Sequence, residues 1–305
     1  MVQSAPCAHL ALPALLARVP SGALAAPGVW GDQALSRGVR VPRKLFCMFI
    51  AGFWTAVLFP FTVLSVLLTF GGDASVWIAR RLWSPVLLWA GGARLVVHGS
   101  ENVDPKRPTI YVANHQSTLD IPAHFVSVPI PFRYVAKSQL GWVPFIGWYL
   151  WAAGHIFVNR SNRHSAISSL QRAGQKIRGG TSIFLYPEGT RSPDGRILPF
   201  KKGPFALALE ARVPICPVTI EGTGRIMPKN SWNIVPGPVH VKIGKPIDTT
   251  GFAANDREGL ARVVREAIIA QSLELGGKGG DPEDAIAASG YEGIGRAHPS
   301  AQKPS

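Results

Sequence analysis

Cysteine is scarce in this sequence: 305 residues hold three, Cys7, Cys47 and Cys216, far apart and without metal-ligand spacing. That excludes a disulfide-stapled scaffold and a cysteine-rich zinc site, and makes a reducing compartment the default. Charge is sparse too, at 16% of residues against 47% apolar, which excludes a mostly disordered chain. Acidic residues are the rarer sign, 18 against 32 basic, for a formal charge of +14. An anionic partner is implied, whether nucleic acid, a bilayer surface or a phosphorylated substrate. No G-x-S-x-G elbow supplies a serine nucleophile and no nucleic-acid signature is present, which disfavours a hydrolase and a nucleic-acid binder. No metal site is evident, and length leaves the domain count open.

What is present begins with an Ala-, Pro- and Gly-rich stretch over residues 1–44. It lacks a basic region followed by one long apolar block, so it reads as a poorly ordered extension or an overlong start rather than a secretory signal. Leu45 to Phe70 then runs 26 residues without a formal charge, roughly 39 Å as a helix and enough to cross a bilayer. Pro60 near its centre permits a bend or a re-entrant hairpin. Arg37, Arg40, Arg43 and Lys44 precede the run and Arg80 and Arg81 follow it, which gives no clear orientation. A second apolar stretch, Leu82 to Ala93, is too short to span and suits an interfacial element. Residues 45–93 are therefore read as a membrane-associated helical segment, with monotopic attachment favoured over a crossing. Six of the nine tryptophans, Trp77, Trp83, Trp89, Trp142, Trp148 and Trp151, fall nearby, half of them expected at a headgroup boundary and half in the core.

Over residues 94–275 short apolar runs alternate with amphipathic segments, the pattern of an α/β domain. Strands are predicted at Thr109–Ala113, Arg133–Ala136, His155–Val158, Ser182–Tyr186, Ile215–Ile220 and Val239–Ile243. Helical spacing joins Ile167, Leu170, Gly174 and Ile177, and again Leu260, Val264 and Ile268. Residues 276–305 are Gly-, Pro- and Ala-rich and read as a disordered tail.

Two strings carry chemistry. Asn114-His115-Gln116-Ser117-Thr118-Leu119-Asp120 follows a predicted strand. Five positions rotate about 140° along a helix, so His115 and Asp120 cannot share a helix face. With Ser117 as the N-cap, however, Asp120 is the third helical residue and can fold back toward the imidazole. A carboxylate on one ring nitrogen would leave the other to accept a proton. Tyr186-Pro187-Glu188-Gly189-Thr190-Arg191-Ser192 also ends a strand, where ligand sites of α/β sheets collect, and Arg191 offers a planar fork for a phosphate. Alone, a His and an Asp at this spacing are more often structural than catalytic, and the second string is equally compatible with a polar turn holding a Glu188–Arg191 ion pair. Cys216 reads as inert core.

Together these strings, with Phe157-Val158-Asn159-Arg160 and Val213-Pro214-Ile215-Cys216-Pro217-Val218, resemble in order and spacing the four motif blocks of the 1-acyl-sn-glycerol-3-phosphate acyltransferases. The resemblance spans about residues 75–250 and includes Lys137-Ser138-Gln139-Leu140, where many relatives carry Glu in place of Gln139, and Phe200-Lys201-Lys202-Gly203. It implies the glycerolipid acyltransferase fold, a mixed α/β sheet flanked by helices, with His115 as catalytic base and Asp120 as its partner. Glu188, Gly189, Thr190, Arg191 and Arg160 would shape the glycerol-phosphate site, and Lys137 would contact the phosphate. The implied reaction moves an acyl group from a thioester, acyl-CoA or acyl-carrier protein, to lysophosphatidic acid, without a bound cofactor or metal. Acceptors of the same class, such as a lyso-ornithine lipid or lysocardiolipin, stay open, as does a non-enzymatic basic membrane binder. The expected setting is a lipid bilayer, with the catalytic domain facing the cytoplasm and the inner membrane as its place in a bacterium; no nucleic acid is expected.

Overall fold

The computed structural model describes residues 40–69, 72–159, 163–231 and 233–281. Helix α1 (Arg40–Thr69) passes through Pro60 without a hairpin. It is held along its length: the Cys47 thiol donates to the Ala90 carbonyl, the Trp54 indole to the Leu82 carbonyl, and the Trp83 indole to Thr55 Oγ1. Packing on both sides of the proline fixes the direction that the proline alone would leave free. Helices α2 (Asp73–Ile78) and α3 (Ser84–Gly91) continue from it, joined by a π-helical turn. The Leu82–Ala93 stretch is thus helical up to Gly91, with Leu88 and Ala90 buried and Trp89 exposed, and Ala93 opens the first strand.

Seven strands form one sheet: β1 (Ala93–His98), β2 (Ile110–Ala113), β3 (Phe132–Lys137), β4 (Ile156–Val158), β5 (Ser182–Leu185), β6 (Ile215–Glu221) and β7 (Gly237–Ile243). Their order is β1-β7-β6-β2-β5-β3-β4, and every neighbouring pair is parallel except β6 with β7. Six of the seven coincide with predicted strands. β1 was not expected as one: its run of Val and Leu adjoins the apolar helices and its alternating exposure is that of an edge strand.

Alternate residues of the central strands feed two cores. Tyr111, Phe184, Val218 and Ile220 meet α3 and α4 (Asp120–Ser127) on one face. Ile110, Val112, Ile183 and Ile215 meet α6 (Arg163–Arg178), α7 (Gly203–Ala211) and α9 (Arg257–Glu274) on the other. Two short helices complete the fold, α5 (Ile146–Ala152) and α8 (Thr223–Ile226). The ordered chain continues beyond 275, where a tail was expected: the Gly279 N–H donates to Ser272 Oγ and its carbonyl accepts from Ile197, so Gly279 and Gly280 are buried.

The helices carry a second apolar surface. Cys47, Leu58 and Thr62 of α1 are buried, whereas Phe49, Phe53, Phe61, Leu64 and Leu68 are exposed. Trp77, Trp89, Trp142, Trp148 and Trp151 extend this patch, each more than half exposed. Of the six clustered tryptophans only Trp83 packs inward, edge-on against Phe125, so the core reading holds for one ring rather than three.

Candidate active site

The parallel strands β2, β5 and β3 bring their carboxyl ends to one edge, and the β6 end joins them. Asn114 closes β2 by exchanging two hydrogen bonds with Ile220, its Nδ2 donating to the carbonyl and its Oδ1 accepting from the N–H. The chain then turns outward at His115. Helix α4 begins at Asp120 rather than after Ser117, and residues 118–119 form a turn. Half of a capping box forms: Asp120 Oδ2 accepts from the Ser117 N–H at 2.9 Å, whereas Ser117 Oγ accepts from the Leu119 N–H and the Asp120 N–H donates to the Ser117 carbonyl.

That arrangement aims the carboxylate at the imidazole. Asp120 Oδ2 lies 2.7 Å from His115 Nδ1 and accepts from the Gln116 N–H, while Oδ1 accepts from Thr223 Oγ1 at 2.5 Å. Asp120 is fully buried, which alone would raise its pKa. The His115 hydrogen bond and charge, the nearby His124 and the Ser117 N–H outweigh burial and hold the carboxyl below its ordinary value. With Asp120 ionised, Nδ1 carries the ring proton and Nε2 keeps its lone pair. The His115 side chain retains 15% of its surface, enough for a small group to reach that nitrogen.

The 186–192 segment holds His115 from the other side. Tyr186 stacks on the imidazole with centroids 4.0 Å apart. Glu188 Oε1 accepts from the His115 N–H at 3.1 Å, and the Ser192 N–H donates to the His115 carbonyl at 2.7 Å. Glu188 is therefore turned inward, where substrate contact was expected, and burial pushes its pKa up to about 8. Gly189 has φ +75°, and a Cβ there would lie 2.8 Å from Lys201 Cε, so the lysine stem crosses the glycine. Lys229 Nζ donates to Thr190 Oγ1 and to the Arg191 carbonyl, and Arg191 reaches Thr118 Oγ1 at 3.0 Å. Lys137 stands apart, exposed at the end of β3 on the same sheet edge but two strands from β2. Arg160 lies outside the described residues.

His124, the second histidine of the region, is no rival base. Its Nδ1 pairs with the Tyr186 hydroxyl at 2.9 Å, and burial lowers its pKa to about 3. Cys216 is buried with its thiol pushed up to about 12 by desolvation, consistent with inert core. Among the described residues no cluster of His, Cys, Asp and Glu could hold a metal ion. Reading the motifs missed Thr223, Tyr186 as a stacking partner, Lys229 and Lys201. The rule that sites gather at strand carboxyl ends could have flagged Thr223, two residues past β6.

The chain is similar to known proteins. The profile of the Acyltransferase family matches residues 94–221. The 1-acyl-sn-glycerol-3-phosphate acyltransferase of Saccharomyces cerevisiae is 34% identical over 219 residues, covering 70% of this chain and 72% of the yeast protein. The chain belongs to the 1-acyl-sn-glycerol-3-phosphate acyltransferase family. The human alpha form of that family is 33% identical, covering 62% of this chain and 68% of its own. The chloroplastic member from Brassica napus is 38% identical over 169 residues, and there the chain spans about half the relative's length, 48%. The crystal structure of the family member PlsC from Thermotoga maritima superposes with a TM-score of 0.68 at 31% identity, covering 77% of this chain and 95% of that one.

Proposed function

We propose that the protein transfers a fatty acyl group from an acyl thioester to the 2-hydroxyl of 1-acyl-sn-glycerol-3-phosphate, giving phosphatidic acid. The observation that carries this reading is the His115 ring, pinned through Nδ1 by buried Asp120 while 15% of its side-chain surface stays accessible. As the acceptor oxygen attacks the thioester carbonyl, Nε2 takes the hydroxyl proton. The new C–O bond forms, the C–S bond breaks, and the departing thiolate takes the proton back from the imidazolium. Thiolate is a good leaving group, so no protein nucleophile is needed; positioning and deprotonating the alcohol is the demanding part. Ionised Asp120 stabilises the imidazolium through the hydrogen bond that fixes its tautomer. Arg191, the one guanidinium of the 186–192 segment, would grip the acceptor phosphate, with Lys137 further along the same edge; the motif resemblance adds Arg160.

The setting suits a lipid substrate. The exposed apolar surface of α1 and the tryptophans would lie in the bilayer boundary, attached on one side and with the catalytic sheet in the cytoplasm. Leu45–Thr69 is long and apolar enough to cross a membrane, but its packing against α3 and Trp83 favours a helix lying along the surface. Between α1 and α5 an apolar cavity of about 550 Å³, lined by Phe59, Val63, Leu67, Trp148 and Phe157, suits a fatty chain.

The test is the purified protein in lipid vesicles, with a panel of lysolipids and two thioester donors, scored by product mass. Phosphatidic acid should form, and His115→Ala should lower kcat by at least about 10³-fold while the protein stays folded and vesicle-bound. Substantial turnover in that variant would remove His115 as the base. Arg191→Ala should chiefly raise the lysophosphatidate KM; unchanged acceptor kinetics would take Arg191 out of the phosphate site.

A further inference from the structure

A second cleft opens beside the base, of about 240 Å³, and the motif blocks account for only part of its lining. It starts at Gln116, next to His115, and ends at the segment following α9, where Lys278 lies. Arg225 and Lys229 also line it. Among the described residues none of these three cations forms an ion pair.

The cleft's two carboxylates are already engaged. Glu221 is buried and turned inward, accepting from Ser272 Oγ at 2.6 Å and from Gln116 Nε2 at 2.9 Å. Asp194 accepts from Ser192 Oγ and from the Arg196 N–H, and lies 3.6 Å from the Arg196 guanidinium. The cleft therefore offers net positive charge at its rim. Its walls are partly bare backbone: a Cβ built on Gly276 would meet nothing within 4 Å, and one on Gly195 would meet only Gln116 Nε2, at 4.0 Å. A cleft rimmed by cations suits a fatty chain less well than the apolar cavity by α1 does. It suits a slender unbranched chain with amides along its length and a phosphate at the far end.

We propose that this cleft docks the phosphopantetheine arm of the acyl donor, with the thioester at His115 and the phosphate at Arg225 and Lys278. The inference rests on the acyltransferase reading and adds a direction to it. The donor would enter past the end of α9, through a cleft that shares no lining residue with the apolar cavity beside α1, while the lipid acceptor comes from the membrane side.

The experiment uses the full chain in vesicles and the double variant Arg225→Gln/Lys278→Gln, two exposed positions whose replacement leaves the core intact. The KM for acyl-CoA should rise about tenfold, with the lysophosphatidate KM unmoved. Acyl-pantetheine, which lacks the phosphate, should serve wild type and variant equally. A rise with acyl-carrier protein as well as acyl-CoA assigns the contact to the phosphate the two donors share; a rise with acyl-CoA alone assigns it to the nucleotide phosphates. Equal KM values for both phosphorylated donors overturn the proposal, as does a rise in the acceptor KM. Calorimetric binding of CoA itself requires no turnover: weaker binding in the variant supports the cleft, and equal binding overturns it. Absence of transfer by wild type from any thioester would strike the acyltransferase reading separately.

Discussion

At the scale of single residues, His115 is positioned by contacts from two stretches of chain. Its ring is held by Asp120 and Tyr186, and its peptide groups by Glu188 and Ser192. Glu188 needs only its acceptor oxygen for this, so Glu188→Gln should keep most of the activity, whereas Glu188→Ala, which strands the His115 N–H, should lose at least about tenfold in kcat. Near-normal turnover in the alanine variant would show that the clamp is dispensable. The same residue shapes the pH dependence of stability. The folded protein keeps the Glu188 proton up to about pH 8, while the unfolded chain releases it near the ordinary value of 4.5. Between those values the folded state binds more protons, so this contribution falls as pH rises, by up to about 1.4 kcal/mol per pH unit, and levels off above pH 8. Melting temperatures of wild type and Glu188→Gln from pH 5 to 8 should shift progressively in favour of the glutamine protein; a constant difference would exclude the buried proton. The His115–Asp120 pairing was legible because both residues sit in one turn whose capping chemistry is local. The Thr223 contact was not, since its hydroxyl arrives from 103 positions away, and neither was the inward turn of Glu188, because a motif identifies a residue without saying which way it points.

At the scale of elements, the turn from β6 into α8 carries Thr223 to the Asp120 carboxylate, and Gly222 makes that turn possible. It has φ +101°, and a Cβ there would lie 2.2 Å from the Pro238 carbonyl oxygen. Gly222→Ala should therefore cost more than about 2 kcal/mol, combining a disfavoured backbone conformation with a backbone clash. A lowered melting temperature with loss of activity is the expected result, and an unchanged melting temperature would contradict it. The central strands were legible as continuous apolar runs, being covered on both faces. β1 was not, because its alternation follows directly on apolar helices and its partner β7 lies at the far end of the domain.

For the whole molecule, the +14 charge and the exposed apolar belt are the two features that the proposed attachment to an anionic lipid surface would use. Trp142 and Trp151 are the most exposed rings of the belt, at 86% and 79%. Replacing both with alanine should reduce flotation with liposomes severalfold while leaving the melting temperature within a degree or two; undiminished flotation would show that the belt is not the contact. The pairing of β1 with β7 also bears on how the protein is made. During synthesis Ala93 must wait for Gly237 to leave the ribosome before the sheet edge closes, and by then the greasy helices ahead of it have long emerged without a finished core to lean on. Nascent chains will thus expose those helices, to lipid or to a chaperone, before the sheet is complete.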